Sequence, residues 1–104
     1  MWNKPTVKQL SKVPKLYANE NKTAKDIIIV MHFFIGGSDW YIAEFDGEDI
    51  FYGYAILNND LECAEWGYVS FSELCGINVR GIEVDRDLHW KEKKFGEIFK
   101  TCSK

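Results

Sequence analysis

FFIGGSDWYIAEFDGEDIFYGYAI, residues 33–56, carries the clearest strand and turn signals of the chain. Glycine-containing turns at residues 36–38 and 46–49 divide this region of the chain. The segments around the turns are rich in β-branched and aromatic residues and predict three strands, at residues 26–34, 40–45 and 50–57. The sequence therefore predicts an antiparallel meander at the centre of the protein.

Two registers are open for the second hairpin of this meander. A two-residue turn places Glu44 opposite Asp49, and like charges at facing positions destabilise a ladder. A four-residue loop instead pairs Phe45 with Ile50 and Tyr41 with Tyr54. We favour the longer loop, which projects three carboxylates from its tip.

Shorter elements are predicted on both sides of the meander. Thr6 and Gln9 have the spacing of a capping box, so a short basic helix begins there, with Val7 and Leu10 on one side, and ends at about Val13. Residues 70–76 repeat the capping pattern. Further elements are expected along the rest of the chain: a fourth strand at 65–69, a last strand at 82–85 and a C-terminal helix at 93–101.

These elements predict an α+β fold: a small, mostly antiparallel sheet of about five strands with short helices at both ends of the chain. The 104 residues have the size of a single domain, and 46% of them are hydrophobic, enough to form a core. No apolar run is long enough to span a membrane and the N-terminus does not resemble a signal peptide, so we expect a cytoplasmic protein of a bacterial host cell. Cys63, Cys75 and Cys102 lack metal-binding spacing and are expected to be reduced thiols.

Charge is strongly segregated along the chain, although the net charge is only −3. Residues 1–25 contain six lysines and one acid, and residues 80–104 contain seven basic and five acidic residues. Residues 26–79, which we call the central segment, contain ten acids and no Lys or Arg. Two interpretations are open: the carboxylates are solvated groups that keep the protein soluble, or they form a surface that attracts a basic partner. Direct contact of the central segment with nucleic acid is not expected.

Catalytic patterns are weak. Asp85, Asp87 and His89 have the residue types of a divalent-metal site, and a metal-dependent hydrolase or nuclease is the alternative that they suggest. Arg86 compensates the charge of the two aspartates locally, so we predict no metal site, no cofactor and no catalytic residues, and a protein that is not an enzyme. A second alternative is a regulatory or accessory protein that acts through the basic N-terminal helix.

The sequence HFFIGGSDWYIAEFDGEDIFYGYAILNND, followed by AEWGYVSFSEL and GIEVDRDLHW, resembles an uncharacterised family of small proteins. The resemblance covers residues 14–90. The family is carried by phages, plasmids and conjugative elements and is known only as a domain of unknown function. This habitat implies counter-defence, and the chain is similar in size and acidity to anti-CRISPR proteins.

Charge and resemblance together predict a non-enzymatic, anti-CRISPR-like inhibitor that binds a basic protein surface. The expected partner is a nucleic-acid-binding nuclease such as a CRISPR effector, whose DNA access the inhibitor blocks. Aromatic side chains such as Trp40, Tyr52 or Trp66 would anchor the contact. The complete set of predicted partner-binding residues is Asp39, Trp40, Glu44, Asp46, Glu48, Asp49, Tyr52, Asp60, Glu62, Glu65 and Trp66.

Overall fold

A computed structural model describes residues 1–99 of the chain. The strands are β1 (Ile28–Ile29), β2 (Met31–Ile35), β3 (Ser38–Phe45), β4 (Ile50–Ile56), β5 (Glu65–Ser70), β6 (Asn78–Val79), β7 (Ile82–Glu83), β8 (Asp85–Arg86) and β9 (Lys93–Lys94). The helices are α1 (Val7–Leu10), α2 (Phe71–Gly76) and α3 (Phe95–Phe99), with a 3₁₀ turn at Ala24–Asp26. A five-stranded antiparallel sheet with short helices confirms the predicted α+β class.

The strands of this sheet lie in the order β5-β4-β3-β2-β8. Strands β2 to β5 form the predicted meander, because each pairs antiparallel with its neighbour in sequence. The last strand does not follow β5. The chain returns across the domain and β8 joins the far edge, next to β2. The predicted strand at 82–85 is thereby divided: exposed Ile82 pairs within a small hairpin, while Val84 is fully buried.

A β-bulge fixes the register of the hairpin between β3 and β4. Tyr41 pairs with Tyr54, as predicted for the longer loop. The ladder then shifts by one residue at Ala43, so Phe45 pairs with Phe51. The predicted pairing of Phe45 with Ile50 is therefore wrong. An extra residue on one strand leaves the pattern of alternation intact on either side of it but changes the partner, which periodicity alone cannot reveal.

One face of the sheet, the apolar face, holds the main core. Phe33, Ile42 and Phe51 on this face are fully buried, and Leu74 of α2 packs against them. The predicted N-caps start both covering helices: Thr6 and Gln9 form a full capping box, whereas at α2 the Ser70 hydroxyl accepts from the N–H of Glu73 without a reciprocal bond among residues 1–99. Leu10 is buried as predicted. Val7 is 85% exposed, contrary to the prediction, because α1 lasts only four residues and presents a single side chain to the sheet.

The opposite face, the aromatic face, carries rings with polar tips. Tyr41, Tyr54 and Trp66 lie there, partly covered by α3 through ring contacts with Phe95 and Phe99. Pairing of β1 with β9 holds the C-terminal segment against this face. The predicted helix at 93–101 begins as the short strand β9, and only residues 95–99 of it are helical; its last two positions lie outside the described residues.

Candidate functional site

The predicted partner-binding acids fall into separate groups. The loop at 46–49 follows β3, whereas the loop at 57–64 follows β4 at the other end of the hairpin, where Ile56 pairs with Asp39. Strand β3 has eight residues, so these two ends are roughly 20 Å apart at about 3.3 Å per residue. Asp46, Glu48 and Asp49 therefore form one group, and Asp60, Glu62 and Glu65 form another. The structure does not bring all of these acids to one point.

The loop at 46–49, the tip loop, is organised by its own aspartates. One oxygen of Asp46 accepts hydrogen bonds from the N–H groups of Glu48, Asp49 and Ile50, at 2.8, 2.8 and 2.9 Å. The bonds from Glu48 and then Ile50 are the largest causes that hold the pKa of Asp46 below its ordinary value. Of the three predicted tip carboxylates, Glu48 is the one that makes no hydrogen bond or ion pair within residues 1–99.

Asp49 connects the tip loop to α2. Its carboxylate accepts hydrogen bonds from the hydroxyls of Ser70 and Ser72 and from the N–H of Ser72. The Ser70 and then the Ser72 hydroxyl lower the pKa of Asp49. Asp46 and Asp49 thus have structural roles that a charge-based interpretation does not anticipate.

The second acidic group surrounds an exposed cysteine. Asp60 accepts from the N–H groups of Glu62 and Cys63, while the side chains of Glu62 and Glu65 are exposed. A hydrogen bond with Asp60 is the largest cause that raises the pKa of the Cys63 thiol. A raised pKa lowers the thiolate fraction and so lowers nucleophilic reactivity. Cys63 and Cys75 are free thiols, as predicted, and Cys102 lies outside the described residues.

Terminal lysines leave most of these acids without an ion pair. Within residues 1–99, one ion pair joins a lysine or arginine to an acid of the central segment: Lys94 with Asp26, at 3.8 Å. Other lysines lie over rings: Lys93 is 4.5 Å from the centre of the Trp90 ring and Lys4 is 5.6 Å from that of Phe71. The negative charge of the central segment is therefore little neutralised by ion pairs in the part of the chain that the structure describes.

Three predicted residues do meet on the aromatic face. Glu44, Tyr52 and Trp66 line one pocket of about 370 Å³. Tyr17, Asn19 and Tyr68 complete much of its wall. Tyr17 and Asn19 were not predicted, because they lie in a polar segment without periodicity. They reach the sheet through tertiary contacts with Glu44 and, for Tyr17, with Tyr68.

Two further predicted residues have different surroundings. Trp40 is 8% exposed within the main core and is not available as a surface anchor, contrary to the prediction; its position in β3 places it on the apolar face. Asp39 is on the aromatic face, where its carboxylate is 2.8 Å from Nε2 of His32. Asp87 is 3.4 Å from Nδ1 of the same ring, and the ring stacks on Tyr41 with centroids 4.6 Å apart. His32 thereby joins β2 and β3 to the segment after β8.

The residues of the metal hypothesis are held by other contacts. Asp85 accepts from the Asn3 side chain, and Asp87 accepts from the N–H of His89. Among residues 1–99, no three His, Cys, Asp or Glu side chains converge as a metal ion would require. Asp85, Asp87 and His89 therefore do not form such a cluster.

Comparison with known proteins agrees with the resemblance. Residues 6–99 match the family described as Protein of unknown function (DUF2958). The chain belongs to this family. The DUF2958 match includes every strand described above and the aromatic pocket. No curated protein and no solved structure matches the chain significantly. None of the helices in residues 1–99 has the length and apolar character needed to cross a bilayer.

Proposed function

We propose that this DUF2958 protein is a non-catalytic inhibitor that presents carboxylates to a cationic, nucleic-acid-binding surface of a bacterial nuclease. The observation that carries the proposal is the charge of the central segment, which has ten acids and no Lys or Arg. Among residues 1–99, Asp26 is the one acid of this segment that forms an ion pair with a lysine or arginine, Lys94. Negative charge that the fold does not neutralise internally remains available to steer and hold a basic partner. The role would be the anti-CRISPR-like counter-defence that the sequence suggests.

The separation of the two acidic groups suits an extended partner surface. A nucleic-acid groove carries its cations along its length, because it must neutralise phosphates that repeat along the strand. An RNA-guided nuclease holds its heteroduplex in such a positively charged channel. Acidic loops at both ends of β3 would contact cations at two places in that channel and exclude DNA between them.

The structure decides which carboxylates a mutational test should change. Asp46 and Asp49 hold the tip loop together, so a loss of inhibition after their replacement would mix loss of charge with loss of structure. Glu48, Glu62 and Glu65 are exposed and their side chains make no hydrogen bond or ion pair within residues 1–99. Their joint replacement by Gln removes three charges and leaves the loops intact.

DNA binding by a panel of purified RNA-guided nucleases, measured by gel shift with and without the protein, tests the proposal. We expect the wild-type protein to release DNA from at least one nuclease, less effectively at higher salt because screening weakens charge attraction. The variant E48Q/E62Q/E65Q should release DNA at least several-fold less effectively. The control variant K8Q/K12Q, altered at two exposed lysines in and just after α1, should act like wild type.

Two results would contradict the proposal. One is the absence of any effect on DNA binding across the panel. The other is full activity of the E48Q/E62Q/E65Q variant with loss of activity in K8Q/K12Q, which would transfer the function to the basic N-terminal helix.

A further inference from the structure

The pocket on the aromatic face combines rings with a buried carboxylate. Its volume is about 370 Å³, which is enough for a small ligand or one long side chain. The wall residues that matter here are Tyr17, Asn19, Glu44, Tyr52, Trp66 and Tyr68. This combination of chemistry restricts what the pocket can hold.

Glu44 is 4% exposed, and among residues 1–99 its carboxylate is held by neutral donors alone. One oxygen accepts the N–H of Tyr17 at 2.8 Å, and the other accepts the N–H and the side-chain amide of Asn19 at 3.1 and 2.9 Å. Within residues 1–99, no lysine or arginine lies within ion-pair distance of it. A buried carboxylate is costly unless it is paired, and here hydrogen bonds orient the group without neutralising its charge.

The rings of Tyr52, Trp66 and Tyr68 line the same space. Tyr52 stacks on Trp66 with centroids 5.6 Å apart, and it contacts Tyr68 at 5.2 Å. Aromatic faces carry negative potential, so rings next to a carboxylate attract cations and repel anions. The pocket therefore favours a ligand that is both positively charged and able to fill apolar volume.

The mouth of the pocket is open and locally strained. Tyr17 is 64% exposed and Tyr68 is 58% exposed. Tyr17 has a φ of 70°, which is unfavourable for a bulky residue and is maintained by the bond from its N–H to Glu44. At the rim, Glu20 and Lys22 carry opposite charges, so they leave the charge of Glu44 uncompensated.

We propose that this pocket binds an alkylammonium group, with its methyl or methylene groups against the rings of Tyr52, Trp66 and Tyr68 and its charge towards Glu44. Quaternary ammonium groups are the cations that aromatic cages recognise best, since they are poorly hydrated and match the ring faces. The group belongs to a small free ammonium compound or to a methylated lysine side chain; both present the same poorly hydrated cation. The inference does not depend on the nuclease partner proposed above.

Isothermal titration of the whole protein with choline, and with its neutral isostere 3,3-dimethylbutan-1-ol, tests the inference. We expect saturable binding of choline and binding of the isostere that is about 10-fold weaker or more, because the isostere has the shape but not the charge. A second arm uses N-acetyl-trimethyllysine amide. Tighter binding of this compound assigns the site to a methylated lysine side chain of a protein. Tighter binding of choline assigns it to a small free ammonium compound. Absence of saturable binding by both cations, or equal binding of the isostere, would overturn the inference.

Matched variants locate the binding. Glu44→Gln should weaken choline binding about 10-fold, and Tyr68→Ala should weaken it several-fold. Glu65→Gln removes one charge outside the pocket and should bind choline like wild type. Equal weakening by Glu65→Gln and Glu44→Gln would reduce the effect to general charge and overturn the site. If Glu44→Gln unfolds the protein, Tyr68→Ala still decides the matter, because more than half of that side chain is already exposed, at 58%.

Discussion

The two faces of the sheet are built from the same strands but have different chemistry. The apolar face is closed by helices over side chains such as Phe33 and Phe51, which are fully buried. The aromatic face keeps Tyr68 largely exposed and places a carboxylate, Glu44, among its rings. Because a strand alternates its side chains between faces, one stretch of sequence supplies both the main core and the candidate binding surface.

The difference also concerns charge. The apolar face buries hydrocarbon, which stabilises the fold without specifying any ligand. The aromatic face holds polar groups in fixed geometry. His32 lies between Asp39 and Asp87, and the Glu44 carboxylate accepts hydrogen bonds from three N–H groups. Changes on the first face should therefore reduce stability, and changes on the second should reduce binding or local order.

The largest expected effect comes from the apolar face. Phe33→Ala should lower the free energy of unfolding by about 3–5 kcal/mol, because it removes a fully buried ring and leaves a cavity. Tyr68→Ala on the aromatic face should cost less than about 1 kcal/mol, since exposed side chains contribute little. Urea unfolding followed by circular dichroism measures both. Similar losses for the two variants would contradict the distinction between the faces.

A pair of glycines at facing positions gives the next effect. Gly53 on β4 pairs with Gly67 on β5. A Cβ at Gly53 would collide with the backbone carbonyl of Tyr41, whereas a Cβ at Gly67 would meet no atom within 4 Å. We expect Gly53→Ala to destabilise by about 1–3 kcal/mol, as overpacking does, and Gly67→Ala to be within about 0.5 kcal/mol of wild type. Equal thermal stability of the two variants would contradict the close approach of Gly53 to the Tyr41 carbonyl.

His32→Leu should have a smaller and more local effect. The change removes both hydrogen bonds to Asp39 and Asp87, and we expect a loss of about 1–2 kcal/mol. The segment at residues 85–90 should exchange its amide hydrogens faster, while strands β3 and β4 keep their protection. Unchanged exchange at 85–90 would remove the proposed connection between this segment and the sheet.

The smallest expected effect is the pH response of the tip loop. The folded pKa of Asp46 is lowered below its ordinary value of 3.8, so the stabilisation that it provides is complete above that value and is lost as pH falls through the lower, folded pKa. Asp46→Asn should abolish this response. Glu48→Gln should retain it, because it changes a side chain that makes no hydrogen bond within residues 1–99 and keeps the N–H that donates to Asp46. Amide chemical shifts of residues 47–50 between neutral and acid pH measure it; an identical acid response in Asp46→Asn would disprove the capping role.

Much of the fold could be predicted because local signals agree with it. Local sequence signals indicate where elements begin and end: the N-caps at Thr6 and Ser70 and the Gly-containing turns. The β-bulge at Ala43 and the return of β8 to the β2 edge could not be predicted, since both depend on packing between distant segments.

Only part of the candidate site could be predicted from the sequence. Tyr52 and Trp66 share a face because of strand periodicity, but Glu44 joins them only through the β-bulge at Ala43, which moves it from the apolar to the aromatic face. Tyr17 and Asn19 come from a loop whose path is set by hydrogen bonds to Glu44, and no local pattern encodes that path. The charge count located the acids along the chain but not their division between two ends of the hairpin or their local hydrogen bonds.

The most direct test of the difference between the faces is to follow the indole N–H signals of the four tryptophans by NMR during titration with choline. We expect the signal of Trp66 to shift and saturate, while that of Trp40, in the apolar core, stays in place. The neutral 3,3-dimethylbutan-1-ol should give a much weaker response. Equal shifts of Trp40 and Trp66, or no shift of Trp66 at any choline concentration, would contradict it.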